Sequence, residues 1–343
     1  MKIAVIGAGM SGLIVARELK KAGHEVFILE KSRGFGGRMA TRYVNNDKSL
    51  KLDHGVPGFT ADSSEFNSFV EALIKADIVK PWTGSITSIH SKDDRADGNA
   101  RSQRYFAPGG MNSIGKYLGK DLKIHNQQRV VRLEQINDDH DNLCWQLKCD
   151  SGLLIEAEAV VISCPAPQTI EILKTPEDQE NISGLIKKLQ TVKYDPEFAL
   201  MVVYDGIEPL EWDVLDVEDT VIKFISNESK KRDLGKVSLV VHSTTDFAIS
   251  NMDKEREEVA LLMLRQLHSV LGEWAESPNW KQLHFWRYSQ ANKWLTNDFM
   301  EISGNGTPLA LVGSYMNGNS VEAAYLSGMK LGKHWAEHLP ANK

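Results

Sequence analysis

The tightest constraint on this chain lies in its first thirty residues, KIAVIGAGMSGLIVARELKKAGHEVFILE. Ile3 to Ile6 form a short, continuous apolar run, as expected of a parallel strand buried on both faces. Gly7, Gly9 and Gly12 follow at G-x-G-x-x-G spacing. Leu13, Ala16, Leu19 and Lys20 then recur at helical spacing, Gly23 closes the helix, and EVFILE reads as a second strand. Together they make a βαβ-type beginning in about the 30 residues that such a unit needs. In a turn of this kind one glycine permits the tight bend, the next lets backbone approach a pyrophosphate, and the third packs helix against strand. The helix N-terminus, including Met10 and Ser11, offers unpaired N–H groups to phosphates. Glu30 ends the second strand 18 residues after Gly12, where its carboxylate can accept from ribose hydroxyls and repel a 2′-phosphate. The motif alone leaves a nicotinamide dinucleotide, a flavin dinucleotide and a bare glycine turn open.

Charge and cysteine usage narrow the function classes. A chain of 343 residues suffices for one large or two interleaved domains. Its formal net charge of −6 argues against nucleic acid as a partner, because phosphate contact needs a basic surface. No stretch approaches the roughly 18 consecutive apolar residues of a membrane span, and the N-terminal apolar residues read as a strand rather than a leader. Cys144, Cys149 and Cys164 form no C-x-x-C pair, and their odd number argues against a disulfide framework. A cytoplasmic location is expected.

Further along, SEFNSFVEALIKADIV reads as an amphipathic helix, SKDDRADGNARSQ as a polar loop, and GGMNSIGKYLGKDL as a second short helix. QQRVVRLEQIND, LCWQLKCD and LLIEAEAVVIS read as successive strands, halted by the prolines of CPAP. Helix and strand alternate from about 169 to 290, and TPLALVGSYMNGNSVEAAYLSGMKLGKHW repeats the opening order of strand, Gly-rich turn and helix.

The segment KSRGFGGRMATRY, directly after Glu30, separates the cofactor readings. Gly34, Gly36 and Gly37 again remove side chains beside an expected pyrophosphate, and Arg38 adds a guanidinium suited to phosphate oxygens. The pairing of GAGMSGL…E with GGRMATR resembles the flavin-dependent amine-oxidase superfamily, most closely its renalase-like branch. LDHGVPGFTA, YFAPGGMNSIGKYL, QRVVRLEQINDDHDNLCWQL, VVISCPAPQTIEIL, HFWRYSQAN and GNSVEAAYLSGMKLGKHW extend the resemblance over nearly the whole chain.

The resemblance implies an α/β fold: a Rossmann-like FAD-binding domain of the glutathione-reductase and amine-oxidase type, with a second substrate domain of mixed or antiparallel sheet. The FAD domain is expected from 1–64, 105–168 and 286–343, and the substrate domain from 65–104 and 169–285. Expected FAD contacts are Gly7, Gly9, Met10, Ser11, Gly12, Glu30, Lys31, Gly37, Arg38, Met39, Thr41, His54, Gly55, Val130, Ser314 and Val321, with Val130 meeting the adenine. FAD is expected to be non-covalent, because GSYMNGNS lacks a cysteine for attachment. The implied activity is hydride transfer from a small donor to flavin N5 with O2 as acceptor; the donor is a dihydronicotinamide isomer or, alternatively, an amine. A monooxygenase, and a protein that binds FAD without turnover, are the remaining alternatives.

Two departures from the family pattern stand out. Ser314 replaces an aspartate that usually holds the ribityl chain, and Pro57–Gly58 replaces Gln-Tyr beside the donor cavity. On the donor side, His242 and Trp286 are candidates to line the cavity. No second dinucleotide turn is present for a dedicated NADPH domain, and no metal is expected: His334 and His338 read as exposed helix residues without a partner acid at zinc spacing.

Overall fold

The computed structural model describes residues 1–83, 86–89, 103–176, 180–218, 220–302 and 307–340. Most of the polar stretch 91–103 lies outside the described residues.

The opening segment folds as its pattern dictates. Strand β1 (Lys2–Ile6) leads through the glycine turn into helix α1 (Met10–Lys21), and strand β2 (Glu25–Glu30) returns parallel to β1 with Ile3 opposite Val26. Among the described residues they sit in a six-stranded sheet ordered Met300–Ile302, Leu309–Leu311, Ala159–Ile162, β1, β2, Lys123–Asn126. All neighbours are parallel except the first pair. Both faces of β1 are buried. Ile3 and Val5 join α1, the helix Ser64–Lys75 and the final helix Val321–His338 in one core. Ala4 and Ile6 face a second core shared with the three-stranded sheet of Val130–Asn137, Leu143–Cys149 and Leu154–Ala157. That two-sided burial is why the strand needs no polar alternation.

Strand β3 (Thr41–Val44) and strand β4 (Asp47–Asp53) form an antiparallel hairpin that reaches toward a second six-stranded sheet. This sheet is ordered Trp280–Lys293, Lys193–Tyr204, Val237–Ser243, Ile222–Asn227, Val214–Val217, Ile86–Ile89. It is antiparallel apart from the Val214–Val217 and Ile86–Ile89 pair. Residues alternate between its faces, as a pleated strand requires. Phe198, Leu200, Val202 and Tyr204 pack outward on the helix Arg256–Leu271. Ala199, Met201 and Val203 point inward and bury Val44 and Leu52 of the hairpin. The inner face is thereby placed against the loops that leave the first sheet.

Some boundaries differ from the sequence reading. LLIEAEAVVIS is two strands in different sheets: Leu154–Ala157 pairs antiparallel with Leu143–Cys149, and Ala159–Ile162 pairs with β1. The strand Trp280–Lys293 runs unbroken across the boundary expected at 285/286, because it stays paired with Lys193–Tyr204 as far as Lys293. The helix Ser64–Lys75, expected with the substrate domain, buries Phe66, Val70 and Leu73 in the core of the first sheet. Among the described residues no helix is long and apolar enough to cross a membrane.

Candidate active site

The glycine turn is sterically closed to other residues at two positions. Gly7 has φ +105°, a conformation costly for L side chains. A Cβ on Gly12 would stand 2.1 Å from the Gly7 carbonyl oxygen and 2.6 Å from Ser163 Oγ. Gly9 is different. It caps α1 with no side-chain hydrogen bond, and nothing lies within 4 Å of its Cβ position, so the helix N-terminus opens onto free space. Met10 and Ser11 begin the helix and are buried. Glu30 is buried at the end of β2, with Oε2 accepting from Ala8 N and Oε1 from Ser32 N, both at 2.7 Å. Each oxygen keeps a lone pair for a further donor. Val130 is buried at the start of its strand, close to this corner because Gln128 N donates to Glu30 O at 2.9 Å. Lys31 is exposed, and its Nζ reaches Gln168 Oε1 at 3.2 Å.

A second glycine loop lies on the first. Gly36 N donates to Ala8 O at 2.9 Å, and a Cβ on Gly37 would come within 3.3 Å of Gly9 Cα. Arg38 then crosses toward the far end of the sheet. It donates to Ser289 O at 2.9 Å and to Ser314 Oγ at 2.7 Å, and burial lowers its pKa. The loop after β4 locks onto the same place: Val56 N donates to Arg38 O at 3.0 Å, and a Cβ on Gly55 would fall 1.9 Å from that oxygen. Met39 is buried, and Thr41 Oγ1 donates to Asp53 Oδ1 at 2.7 Å. At the C-terminal end, Ser320 caps the final helix through Ala323 N, Val321 is its first residue, and Gly328 lets it touch α1.

These residues fit an adenine-tailed dinucleotide. The open helix N-terminus can hold a pyrophosphate, and the Glu30 carboxylate can take ribose hydroxyls. Arg38 is a partly desolvated cation that makes no ion pair with a carboxylate among the described residues, so an anionic ligand would supply its counter-charge.

The donor-side candidates gather on the inner face of the second sheet. Phe224, His242, Ala199 and His284 lie in one row across four strands, and Glu197 sits opposite Trp286. Trp286 stacks on the His54 ring at 5.6 Å and donates from Nε1 to His54 O at 2.7 Å. His284 meets both rings edge-on, at 4.9 Å from His54 and 4.3 Å from Trp286. Burial, with the nearby positive groups, pushes His54 down to about 3 and His284 to about 4. Both imidazoles are neutral at physiological pH. His242 stacks on Phe224 at 4.2 Å, and its Nδ1 lies 2.6 Å from Glu197 Oε1. A carboxylate so close fixes the proton on Nδ1. His242 Nε2 and His54 Nδ1 are buried without hydrogen-bond partners.

Beneath this wall lies a buried ion quartet that sequence reasoning missed. Asp53 and Glu228 face Lys231 and Arg232, with all four side chains no more than 2% exposed. Lys231 Nζ lies 3.0 Å from Asp53 Oδ2 and 2.7 Å from Glu228 Oε1, and Arg232 pairs with both acids. Burial pushes the Asp53 carboxyl up, but Lys231 and Arg232 together hold it below the usual carboxylate range. The quartet ties β4, and with it His54, to the short helix Glu228–Arg232 of the second sheet. Nothing local in the sequence marks ESKKR, because its acidic partner Asp53 lies 178 positions away.

Two other readings change. A Cβ on Gly58 would stand 2.9 Å from the Trp82 ring, so the departure at Pro57–Gly58 exchanges a side chain at 58 for the Trp82 indole. His334 is half-buried rather than exposed, because its Nε2 binds Glu301 Oε1 at 3.0 Å.

A dinucleotide cradle facing an aromatic wall on a second sheet defines a two-part flavoprotein oxidoreductase. The profile of an NAD(P)-binding Rossmann-like domain matches residues 5–73, and that of flavin containing amine oxidoreductase matches residues 62–330. The chain belongs to the flavin containing amine oxidoreductase family, and it is a FAD-dependent oxidoreductase. Renalase of Mus musculus is 26% identical over 97% of this chain and 99% of that protein. In fold the chain is similar to cyclohexylamine oxidase from Brevibacterium oxydans, with TM-score 0.70, 14% identity, and coverage of 98% and 99%. It is also similar to putrescine oxidase bound to putrescine, with TM-score 0.68, 15% identity, and coverage of 98% and 100%.

Proposed function

We propose that this protein oxidises a dihydronicotinamide isomer, as the renalase-like branch does, and restores the usable nicotinamide with O2 as electron acceptor. The end-to-end likeness to mouse renalase carries the reading. Bound FAD supplies the acceptor for a hydride at N5. The chain supplies placement. Gly7, Gly9, Met10, Ser11 and Gly12 hold the pyrophosphate, Glu30 and Lys31 face the ribose, and Val130 meets the adenine. Gly37, Arg38, Met39, Thr41, His54 and Gly55 hold the stretch between phosphate and ring, and Ser314 and Val321 close the ring end. FAD is held without a covalent bond. Trp286 and His54, stacked on each other with His284 edge-on beside them, give the donor an uncharged aromatic wall that excludes water. A dihydropyridine is already electron-rich, so no residue has to remove a proton before hydride leaves. The three unpaired cysteines accord with a cytoplasmic location.

Oxidation of an amine is the second reading, favoured by one feature. His242, backed by Glu197, has a buried Nε2 without a hydrogen-bond partner, which would take the ammonium proton before the C–H bond breaks if the neighbouring side chains part to admit the amine. Anaerobic mixing of the oxidised holoenzyme with each donor separates the two. Rapid bleaching of the flavin by dihydronicotinamide isomers is expected. Bleaching by amines alone would reverse the ranking.

A further inference from the structure

Arg42 is used neither by the flavin cradle nor by the fold. On the β3–β4 hairpin it stands directly opposite Leu52, and residues directly opposite on an antiparallel pair share a face. Leu52 is fully buried against Ala199, Met201 and Val240, so Arg42 projects toward the same inner face of the second sheet. It is half-buried there, its Nε is fully enclosed without a hydrogen-bond partner, and it makes no ion pair among the described residues. The carboxylate on this face, Glu197, is engaged by His242. The guanidinium is close enough to His54 and His284 to help keep both imidazoles neutral. A partly desolvated cation beside two uncharged rings, with its own donors unused, is costly unless something anionic arrives.

We infer that Arg42 is the anion anchor of the donor site, binding a phosphate or carboxylate group on the molecule to be oxidised. Arg presents its N–H groups in a planar fork that matches both groups. This rests on the oxidase reading above and sharpens it: the donor is an anionic molecule, such as a dihydronicotinamide nucleotide, rather than a simple amine.

The test uses holoenzyme and two matched donor pairs that differ only by the anion. One pair is dihydronicotinamide mononucleotide and dihydronicotinamide riboside; the other is an α-amino acid and its decarboxylated amine. In R42Q, kcat/KM for the anionic member of the active pair should fall about 10- to 100-fold, the worth of one or two charge-assisted hydrogen bonds. The member without the anion should lose less than about 3-fold, and R42K should lie between wild type and R42Q, which separates lost charge from lost packing. Equal losses on both members, or none on either, would overturn the proposal. If none of the four donors reduces the flavin, the oxidase reading fails, and titration with inorganic phosphate decides the anchor. Saturable quenching of tryptophan fluorescence in wild type that R42Q abolishes supports it; a flat wild-type titration overturns it.

Discussion

Replacing Asp53 with asparagine leaves three charges where four now cancel. Asp53 Oδ2 receives Lys231 and Arg232, and Oδ1 receives Thr41 Oγ1 at 2.7 Å and Met111 N at 2.9 Å. Asparagine keeps the shape and one carbonyl oxygen, but its amide nitrogen must face a donor. Lys231 and Arg232 then share Glu228 alone. Removing one partner of a fully buried pair costs about 3–5 kcal/mol, because an uncompensated charge stays behind. For a chain of 343 residues that lowers the melting temperature by about 4–7 °C. The measurement is denaturant or thermal unfolding at saturating FAD, since cofactor binding itself shifts apparent stability. The double variant with Arg232→Met restores neutrality and should lose at least about 1 kcal/mol less than the sum of the two single changes. The pH dependence has a fixed sign. Because the folded-state pKa of Asp53 is depressed, its contribution is complete above the unfolded carboxylate value near 3.8 and is lost as pH falls below that. The gap between wild type and D53N should therefore be constant from pH 5 to 8. Strict additivity in the cycle, or a loss under about 1 kcal/mol in a fully loaded variant, would refute the reasoning.

Three further outcomes are expected. Gly12→Ala places a methyl group 2.1 Å from the Gly7 carbonyl oxygen and should yield colourless protein; a yellow, fully loaded variant would contradict the cradle. Glu30→Ala removes the acceptor for Ala8 N and Ser32 N as well as the ribose contact, and should weaken FAD by about 1–3 kcal/mol in equilibrium titration. His284 has a folded-state pKa of about 4, below the ordinary imidazole value of 6.5, so it favours folding above pH 6.5 and that contribution falls away as pH drops toward 4. In unfolding measurements, His284→Gln should lose about 1–2 kcal/mol less stability than wild type between pH 7 and pH 5, allowing for its partial exposure.

The cofactor half was readable because its signals are local. The continuous apolar run of β1, a glycine turn and an acid at the end of β2 fall within thirty residues, and the structure assembles them in that order. The donor side depends on long-range pairing that no window shows. His54 meets Trp286 across 232 positions, and Lys231 meets Asp53 across 178. His242 was singled out for ending an apolar run, and the register of its strand puts it in a row with His284, a residue the run gave no reason to choose. Trp82 in place of a side chain at 58 was equally hidden, since a missing side chain does not say what fills its space.

The contact between the first and last long helices bears on when a newly made chain becomes competent. Gly328 lies against Ser11 and Gly332 against Glu18, so the face of α1 that meets the final helix is covered by residues translated some 300 positions later. A nascent polypeptide still emerging from the ribosome has that face of α1 bare until the last helix docks. Chains released short of Gly328 are accordingly expected to hold pigment less well than the full-length chain, since one wall of the helix that follows the turn is then missing.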